Sequence, residues 1–254
     1  MSPRLKGKVG PTSLVSLARE ARRGNGDVRP LAVAGARELV PLLARELRAG
    51  GDAASVVEQE IGGAAALVWI GDADESVLRA AHRARVPIVA VTEAASLPHV
   101  PPDDHVRVPP GQGFPVERIA AAVARRLDDD AIALAARLPV LRPAVCERLI
   151  ATVSRRNALI GVAVWVPGVD MPILTFNQVR LVMRIALVHG EEIDRVRALE
   201  LAGVVGAGFG FRAVARELLD LVPVGGWAVK GAIAYTGTRV VGKAAERYFG
   251  ALRG

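Results

Sequence analysis

Residues 161–190 read GVAVWVPGVDMPILTFNQVRLVMRIALVHG, and this stretch decides the fold of the second half of the chain. It consists of an apolar run, a corner bracketed by Pro167 and Pro172, and a helical pattern that stops at Gly190. Proline cannot continue a helix and disfavours helical geometry in the residue before it. The corner therefore ends one helix and starts another, and we expect helices stacked on it from residue 140 onward.

The helix predicted from Ile173 to His189 carries an amide on its apolar face. Intervals of three and four residues place five side chains on that face: Leu174, Gln178, Leu181, Ile185 and Val188. A buried amide without a partner costs about 1 to 3 kcal/mol, and Asp170 in the corner is the partner predicted for Gln178. Solvent or an acidic partner would meet the polar residues of the neighbouring face, which are Asn177, Arg180 and Arg184. We favour the interpretation in which Gln178 and Asp170 fix the corner and the arginines lie at the surface. A ligand or partner site is the alternative.

Charge is distributed unevenly along the 254 residues. The net charge is +7, and the first 29 residues hold seven basic and two acidic side chains. Such a basic tail can meet anionic lipid or nucleic acid, although solvent alone also satisfies it. The sequence contains no RNA-binding signature and no interleaved aromatic stripe, so we expect no nucleic-acid partner.

Cysteine and targeting signals point to the cytoplasm. Cys146 is the single cysteine, which excludes an internal disulfide, and no Cys/His spacing fits a zinc site. Its helical spacing with Ile150 and Val153 predicts a small core residue. The N-terminus lacks the apolar segment of a signal peptide. We expect a cytoplasmic protein, in solution or at the cytoplasmic membrane, with no metal and no cofactor.

Residues 30–127 alternate short apolar runs with helical patterns. The predicted strands are Pro30–Ala34, Ser55–Val57, Ala65–Ile70, Pro87–Val91 and His105–Val108, and the predicted helices are Arg37–Arg48, Glu75–Arg83 and Pro115–Arg126. This alternation predicts a small parallel sheet of Rossmann or P-loop type, with helices on its faces. Ligands of such sheets bind beyond the carboxyl ends of the strands.

The first strand leads into a segment that a phosphate loop would occupy. Gly35-Ala36-Arg37-Glu38-Leu39-Val40-Pro41-Leu42 has Val40 and Pro41 where a P-loop has Gly and Lys. Proline removes an amide, and Glu38 repels phosphate. The layout resembles a small Era-like GTPase, but Val91-Thr92-Glu93-Ala94 replaces the guanine-binding Asn-Lys-x-Asp. The resemblance implies a shortened, degenerate GTPase domain that does not bind nucleotide.

Two further places at the strand ends are candidates for ion binding. A glycine loop before a helix can hold an anion, and its residues here are Gly111, Gln112 and Gly113. Acidic side chains follow the third strand at Asp72, Asp74 and Glu75. They occupy positions typical of helix N-caps, an interpretation that we favour over a cation site.

The second half of the chain is predicted to be helical and rich in glycine. Helices are expected over Pro143–Val166, Ile173–His189, Glu191–Leu221 and Pro223–Leu252, the last with a break at Gly225-Gly226. One strip of small residues recurs every four positions: Ala198, Ala202, Gly206 and Gly210. It allows close helix packing, and a second strip is its predicted partner: Ala228, Ala232 and Thr236.

A set of motifs in this half resembles a known family. The motifs are Pro167-Gly168-x-Asp170-Met171-Pro172, Leu174, Asn177-Gln178, Arg184-Ile185-Ala186, His189-Gly190, Val222-Pro223-x-Gly225-Gly226, Ala234-Tyr235-Thr236-Gly237-Thr238, Gly242 and Tyr248-Phe249. Together they resemble the bacterial domain-of-unknown-function family six-nine-seven, which includes inner-membrane proteins of the YcjF type and fusions to Era-like GTPases. The resemblance implies association with GTPases or membranes, and it adds Tyr235 to the candidate residues.

Membrane insertion is a question for residues 158–176, which carry one charge, Asp170, and two prolines. The corner divides this run into halves shorter than the roughly 20 apolar residues of a spanning helix. We favour a helical domain that is soluble or bound at a membrane surface, with an inserted hairpin as the alternative.

These patterns divide the chain into a basic tail (1–29), a degenerate GTPase-like α/β domain (30–127), a linker helix (128–139) and a helical domain (140–254). No catalytic triad, nucleophile elbow or carboxylate pair is evident. We therefore expect a non-catalytic interaction or scaffold protein whose helical domain docks a protein partner, which is a GTPase or the chain itself, or a membrane surface. The alternatives are an inserted membrane component of YcjF type and an unconventional NTP-binding protein.

Overall fold

The computed structural model describes residues 29–94, 96–109, 111–163, 171–191 and 226–252. The described residues form two compact units. The sheet unit comprises residues 29–148 and 188–190, and the helical unit comprises residues 149–163, 171–187, 191 and 226–252. An α/β unit is thus followed by a helical one, as predicted.

The sheet unit is built on five parallel strands. They are β1 (Leu31–Gly35), β2 (Val56–Glu58), β3 (Ala66–Ile70), β4 (Ile88–Thr92) and β5 (His105–Arg107), in the spatial order β2-β1-β3-β4-β5. Each lies within one residue of its predicted position. This strand order is the doubly wound arrangement of flavodoxin-like sheets, in which the chain reverses direction across the sheet between β1 and β3.

The central strands are apolar along their whole length because both faces of the sheet are covered. Alternate residues of β1, β3 and β4 face helix α2 (Glu75–Arg83), where Leu67, Trp69 and Leu78 belong to one buried cluster. Leu31, Val33 and Val68 alternate with these positions and are fully buried. Burial on both faces explains why the strands appear in the sequence as continuous apolar runs.

Three more helices complete the sheet unit: α1 (Val40–Arg48), α3 (Val116–Leu127) and α4 (Ala131–Arg137). The segment predicted as a linker, residues 128–139, packs into this unit. The Asp52 amide donates to the Arg137 carbonyl at 2.9 Å, and a Cβ on Gly51 would lie 2.5 Å from the same oxygen. The compact unit therefore continues past the predicted boundary at residue 127 to Arg148.

Arginine side chains cover the two edge strands. Arg48 donates to the Val56 carbonyl at 2.7 Å and pairs with Glu58, both on β2. Arg118 donates to the Arg107 carbonyl of β5 at 3.3 Å. Charged side chains at sheet edges oppose pairing with a strand of another chain.

The later part of the chain contributes α5 (Arg142–Ala163), α6 (Met171–Val188) and α7 (Gly226–Ala251). Gly190 has a φ of +76°, the left-handed geometry that ends helices, so α6 stops where the sequence predicts. Helices α5 and α7 run antiparallel and approach closely at glycines. A Cβ on Gly161 would lie 3.1 Å from the Lys230 carbonyl, and one on Gly242 would lie 2.6 Å from Cγ1 of Ile150.

The small-residue strip of the last helix stays a prediction, because the helix predicted to pack on it lies outside the described residues. Ala232 and Thr236 are exposed, whereas Gly231 and Gly242 of α7 face α5. The strip that contains Gly206 and Gly210 lies outside the described residues, as does the corner at 164–170. Among the helices of the described ranges, none combines the length and the apolar character that crossing a membrane requires.

Candidate functional site

The crevice at the reversal point of the sheet lies between the carboxyl ends of β1 and β3, where ligands of doubly wound folds bind. Gly35 ends β1 with a φ of +125°, and Gly71 follows β3 with a φ of +98°. A Cβ on Gly35 would lie 2.0 Å from the Ile70 carbonyl oxygen. Gly35 is therefore required by the close approach of the two strand ends, without any ligand.

A glutamine side chain forms hydrogen bonds with the backbone that lines this crevice. Gln59 Oε1 accepts from the Gly35 amide at 3.4 Å, and its Nε2 donates to the Gly35 carbonyl at 3.3 Å. Gln59 has a φ of +59°, and its own amide donates to the Val33 carbonyl at 2.9 Å. The side chain of Gln59 therefore extends the sheet at the point where a phosphate would meet the first amide.

Three further amides in the segment after β1 are also engaged. The Ala36 amide donates to the Ile70 carbonyl at 2.9 Å, and the Leu39 and Val40 amides both donate to the Ala36 carbonyl. Pro41 has no amide hydrogen. A phosphate loop binds through backbone amides that point at the ligand, and four amides between Gly35 and Val40 instead donate to protein oxygens.

The charges around the crevice oppose an anion. Five exposed acids and one exposed base lie within three residues of Gly35, Gln59 or Gly71 in the sequence: Glu38, Glu58, Glu60, Asp72, Asp74 and Arg37. No lysine is among them. A nucleotide phosphate would therefore meet a surplus of negative charge.

The candidate anion loop at Gly111, Gln112 and Gly113 is exposed. The Gln112 amide donates to the Pro109 carbonyl at 3.3 Å, and the Ile119 amide of α3 donates to the Pro115 carbonyl at 3.0 Å. Glu117 lies in the first turn of α3. The carboxylate of Glu117 interacts with the positive end of the helix dipole, which would otherwise attract an anion.

Two of the three acids after β3, Asp74 and Glu75, lie at the N-terminus of α2 as the favoured interpretation predicts. Asp74 caps α2, with its Oδ1 accepting from the Ser76 amide at 3.0 Å and the Val77 amide at 3.3 Å. Hydrogen bonds, first from the Ser76 hydroxyl and then from these amides, hold the pKa of Asp74 below 3.8. Within the described ranges, no group of three or more His, Cys, Asp or Glu side chains has the arrangement of a metal site.

A buried carboxylate lies at the start of β5, where the sequence analysis identified no candidate. Asp104 is 3 % exposed and pairs with Arg126 at 2.8 Å and with Arg125 at 4.0 Å. Burial raises the pKa of Asp104 above 3.8, against the opposing charges of the two arginines. Both arginines belong to α3, so the cluster ties this helix to the edge of the sheet.

The helical unit encloses a second polar cluster, formed by one side chain of α5, two of α6 and one of α7. Its members are Asn157, Asn177, Gln178 and Thr238, all buried. Asn177 donates to Asn157 Oδ1 at 2.7 Å, and both Asn157 (2.9 Å) and Gln178 (3.3 Å) donate to Thr238 Oγ1. The Thr238 hydroxyl donates to the Ala234 carbonyl at 2.7 Å.

This cluster changes the predicted roles of α6. Gln178 is buried as expected, but Thr238 accepts from its amide, while the predicted partner Asp170 lies outside the described residues. The expectation that Asn177 is solvated or meets an acidic partner is wrong, because it is 8 % exposed and bonds to Asn157. It faces α5 because the interface between the helices is wider than the single stripe inferred from spacing.

The remaining candidates do not join this cluster through the contacts described. Arg180, Arg184 and Tyr235 are half-buried, and the guanidinium carbon of Arg239 lies 6.0 Å from the centre of the Tyr235 ring. Cys146 is fully buried with its Sγ 3.9 Å from His189 Nε2, as expected for a core residue.

Comparison with known proteins assigns no family. No protein-family model, curated protein or solved structure matches the chain. The function must therefore be argued from the geometry of the two units.

Proposed function

We propose that this protein is a non-catalytic interaction or scaffold protein, in which the α/β domain does not bind nucleotide and the helical domain docks a partner. The observation that carries the proposal is the pair of hydrogen bonds between the Gln59 side chain and the Gly35 backbone. It supports the view that the crevice is closed by the protein itself. The descent of this domain from a GTPase rests on the resemblance alone.

Displacing Gln59 would not by itself create a nucleotide site. Each of its two hydrogen bonds contributes about 0.5 to 1.5 kcal/mol, so their loss would lower affinity by roughly 5- to 150-fold. The amides of Ala36, Leu39 and Val40 would still donate to backbone carbonyls. A phosphate would also lack the lysine that a P-loop supplies.

A docking role is consistent with the charge of the helical unit. Its described residues hold eight basic side chains, Arg155, Arg156, Arg180, Arg184, Lys230, Arg239, Lys243 and Arg247, and two acidic ones, Glu191 and Glu246. The difference, eight minus two, is a net charge of +6. Large apolar side chains are exposed on the same unit, including Leu159 at 70 % and Val240 at 63 %.

The test is calorimetric titration of the full chain with magnesium GTP and magnesium ATP up to millimolar nucleotide. We expect no saturable heat from the wild type and none from Gln59→Ala, in which the Gly35 backbone is released. A matched control is Gln112→Ala, which leaves the crevice intact. Saturable micromolar binding by the wild type would refute the proposal and favour an unconventional NTP-binding protein.

A further inference from the structure

Three of the four histidines of the chain lie on or beside the segment that joins β4 to β5. Residues 96–104 are called the β4–β5 connection below. His99 belongs to it, His105 follows it as the first residue of β5, and His82 lies in the last turn of α2. The rings of His82 and His99 stack with their centroids 5.1 Å apart. Histidine is the side chain whose charge ordinarily changes between about pH 5 and 8, so this segment gathers groups that respond to pH in that range.

The ring of His105 contacts the backbone of the connection through one nitrogen. The Leu97 amide donates to Nε2 of His105 at 3.4 Å, and the Val100 carbonyl oxygen lies 3.3 Å from the same nitrogen. Leu97 and Val100 are both buried in the apolar cluster that faces α2. The ring of His105 therefore fixes the backbone of a segment that contributes two side chains to this core.

A neutral His105 ring fits these contacts better than a protonated ring. The Leu97 amide needs a lone pair on Nε2, which only a nitrogen without hydrogen supplies. Protonation places a hydrogen on both ring nitrogens, so Nε2 can then donate to the Val100 carbonyl but can no longer accept from Leu97. The other nitrogen offers no compensation, because Nδ1 is buried and has no hydrogen-bond partner in the described part of the chain.

The charges around His105 do not favour an added proton. Asp104 would attract one, but its carboxylate already pairs with Arg126 at 2.8 Å and with Arg125 at 4.0 Å. The ionisable side chains of the connection, of β5 and of the last turns of α2 and α3 are His82, Arg83, His99, Asp103, Asp104, His105, Arg107, Arg125 and Arg126. Four arginines and two aspartates among them give a net charge of four minus two, or +2, while the histidines are neutral.

We propose that His105 is a pH-sensitive latch on the β4–β5 connection, which is closed while the ring is neutral and released when the ring is protonated below about pH 6. Release exposes Leu97 and Val100 at the edge of the sheet. The stacked rings of His82 and His99 act in the same direction, because two protonated rings in contact repel each other.

Amide hydrogen exchange of the full chain, followed by NMR, tests the latch. The quantity to measure is the protection factor of the Leu97 amide, which is the exchange rate of an unstructured peptide divided by that of the chain at the same pH. Between about pH 7.5 and about pH 5.5 we expect this factor to fall severalfold, up to about tenfold, as loss of one hydrogen bond predicts. The protection factor of Val89, which is buried in β4, should stay constant.

Two variants identify the group that senses pH. In His105→Gln the side-chain oxygen can accept from the Leu97 amide without titrating, so the protection factor of Leu97 should no longer depend on pH. The matched control is His82→Gln, which removes the stacked pair but leaves the ring of His105, and it should keep most of the fall. Circular dichroism shows whether each variant is folded.

A protection factor of Leu97 that stays constant in the wild type over this pH range would overturn the proposal. This measurement is decisive even if His105→Gln does not fold. A fall that survives unchanged in His105→Gln, or that His82→Gln abolishes, would also overturn the proposal, because another titrating group would then release the connection.

Discussion

Replacing two glycines of α7 by alanine separates helix propensity from packing. Both Gly237 and Gly242 lie inside the helix, so each substitution gains about 1 kcal/mol of helix propensity. At Gly237 the new methyl group meets no heavy atom within 4 Å. Gly237→Ala should therefore stabilise the folded chain by about 1 kcal/mol.

Gly242→Ala should have the opposite sign. Its Cβ would lie 2.6 Å from Cγ1 and 3.1 Å from Cδ1 of Ile150, which is fully buried. A β-branched side chain has little freedom at χ1, so helices α5 and α7 must separate. Overpacking costs about 1 to 3 kcal/mol, which offsets the propensity gain and leaves a net loss of up to about 2 kcal/mol.

Thermal unfolding followed by circular dichroism measures both variants. The two variants gain the same helix propensity, so their melting temperatures should differ only by the cost of overpacking at residue 242. A difference of 1 kcal/mol corresponds to about 2 to 4 °C in a chain of this size. We expect Gly242→Ala to melt several degrees below Gly237→Ala. Equal melting temperatures would refute the close approach of α5 and α7.

Two further predictions concern buried polar groups. In Thr238→Val the buried hydroxyl that accepts from Asn157 and Gln178 is lost. Each of these two hydrogen bonds contributes about 0.5 to 1.5 kcal/mol, so urea unfolding should show a loss of about 1 to 3 kcal/mol. A loss below about 0.5 kcal/mol would show that the cluster contributes little. Burial raises the pKa of Asp104 in the folded chain above 3.8, so the folded chain binds the carboxyl proton of Asp104 more tightly than the unfolded chain does. The contribution of Asp104 to stability therefore falls as pH rises from about 4 through the folded pKa. The unfolding free energy of the wild type minus that of Asp104→Asn should therefore decrease over that window, and a difference that increases with pH would contradict the assigned cause.

Much of the sheet unit could be predicted from the sequence because its signals are local. Each strand is an apolar run between turn residues, and Asp74 precedes its helix as an N-cap should. A predicted boundary is displaced where a turn precedes the helix: Arg37 to Leu39 lie before α1 instead of beginning it. Fold class and element order follow from such patterns without knowledge of distant contacts.

The contacts that define both sites could not be predicted, because they join residues far apart in the chain. Gln59 and Gly35 are 24 positions apart, and Asn157 and Thr238 are 81 apart. Gln59 follows a three-residue edge strand and carries no motif. Asn157 lies on the buried face of α5. A polar residue at a helical position expected to be apolar is the one sequence signal that could have identified it.

The central claim is that the backbone of Gly35 is engaged by Gln59 and closed to phosphate. Titration of the ¹⁵N-labelled full chain with magnesium GTP, followed by NMR at the amides of Gly35, Ala36 and Val40, tests this claim most directly. The account predicts no saturable shift of these signals at millimolar nucleotide. A saturable shift centred on these three amides would contradict it and show that the crevice opens to hold a nucleotide.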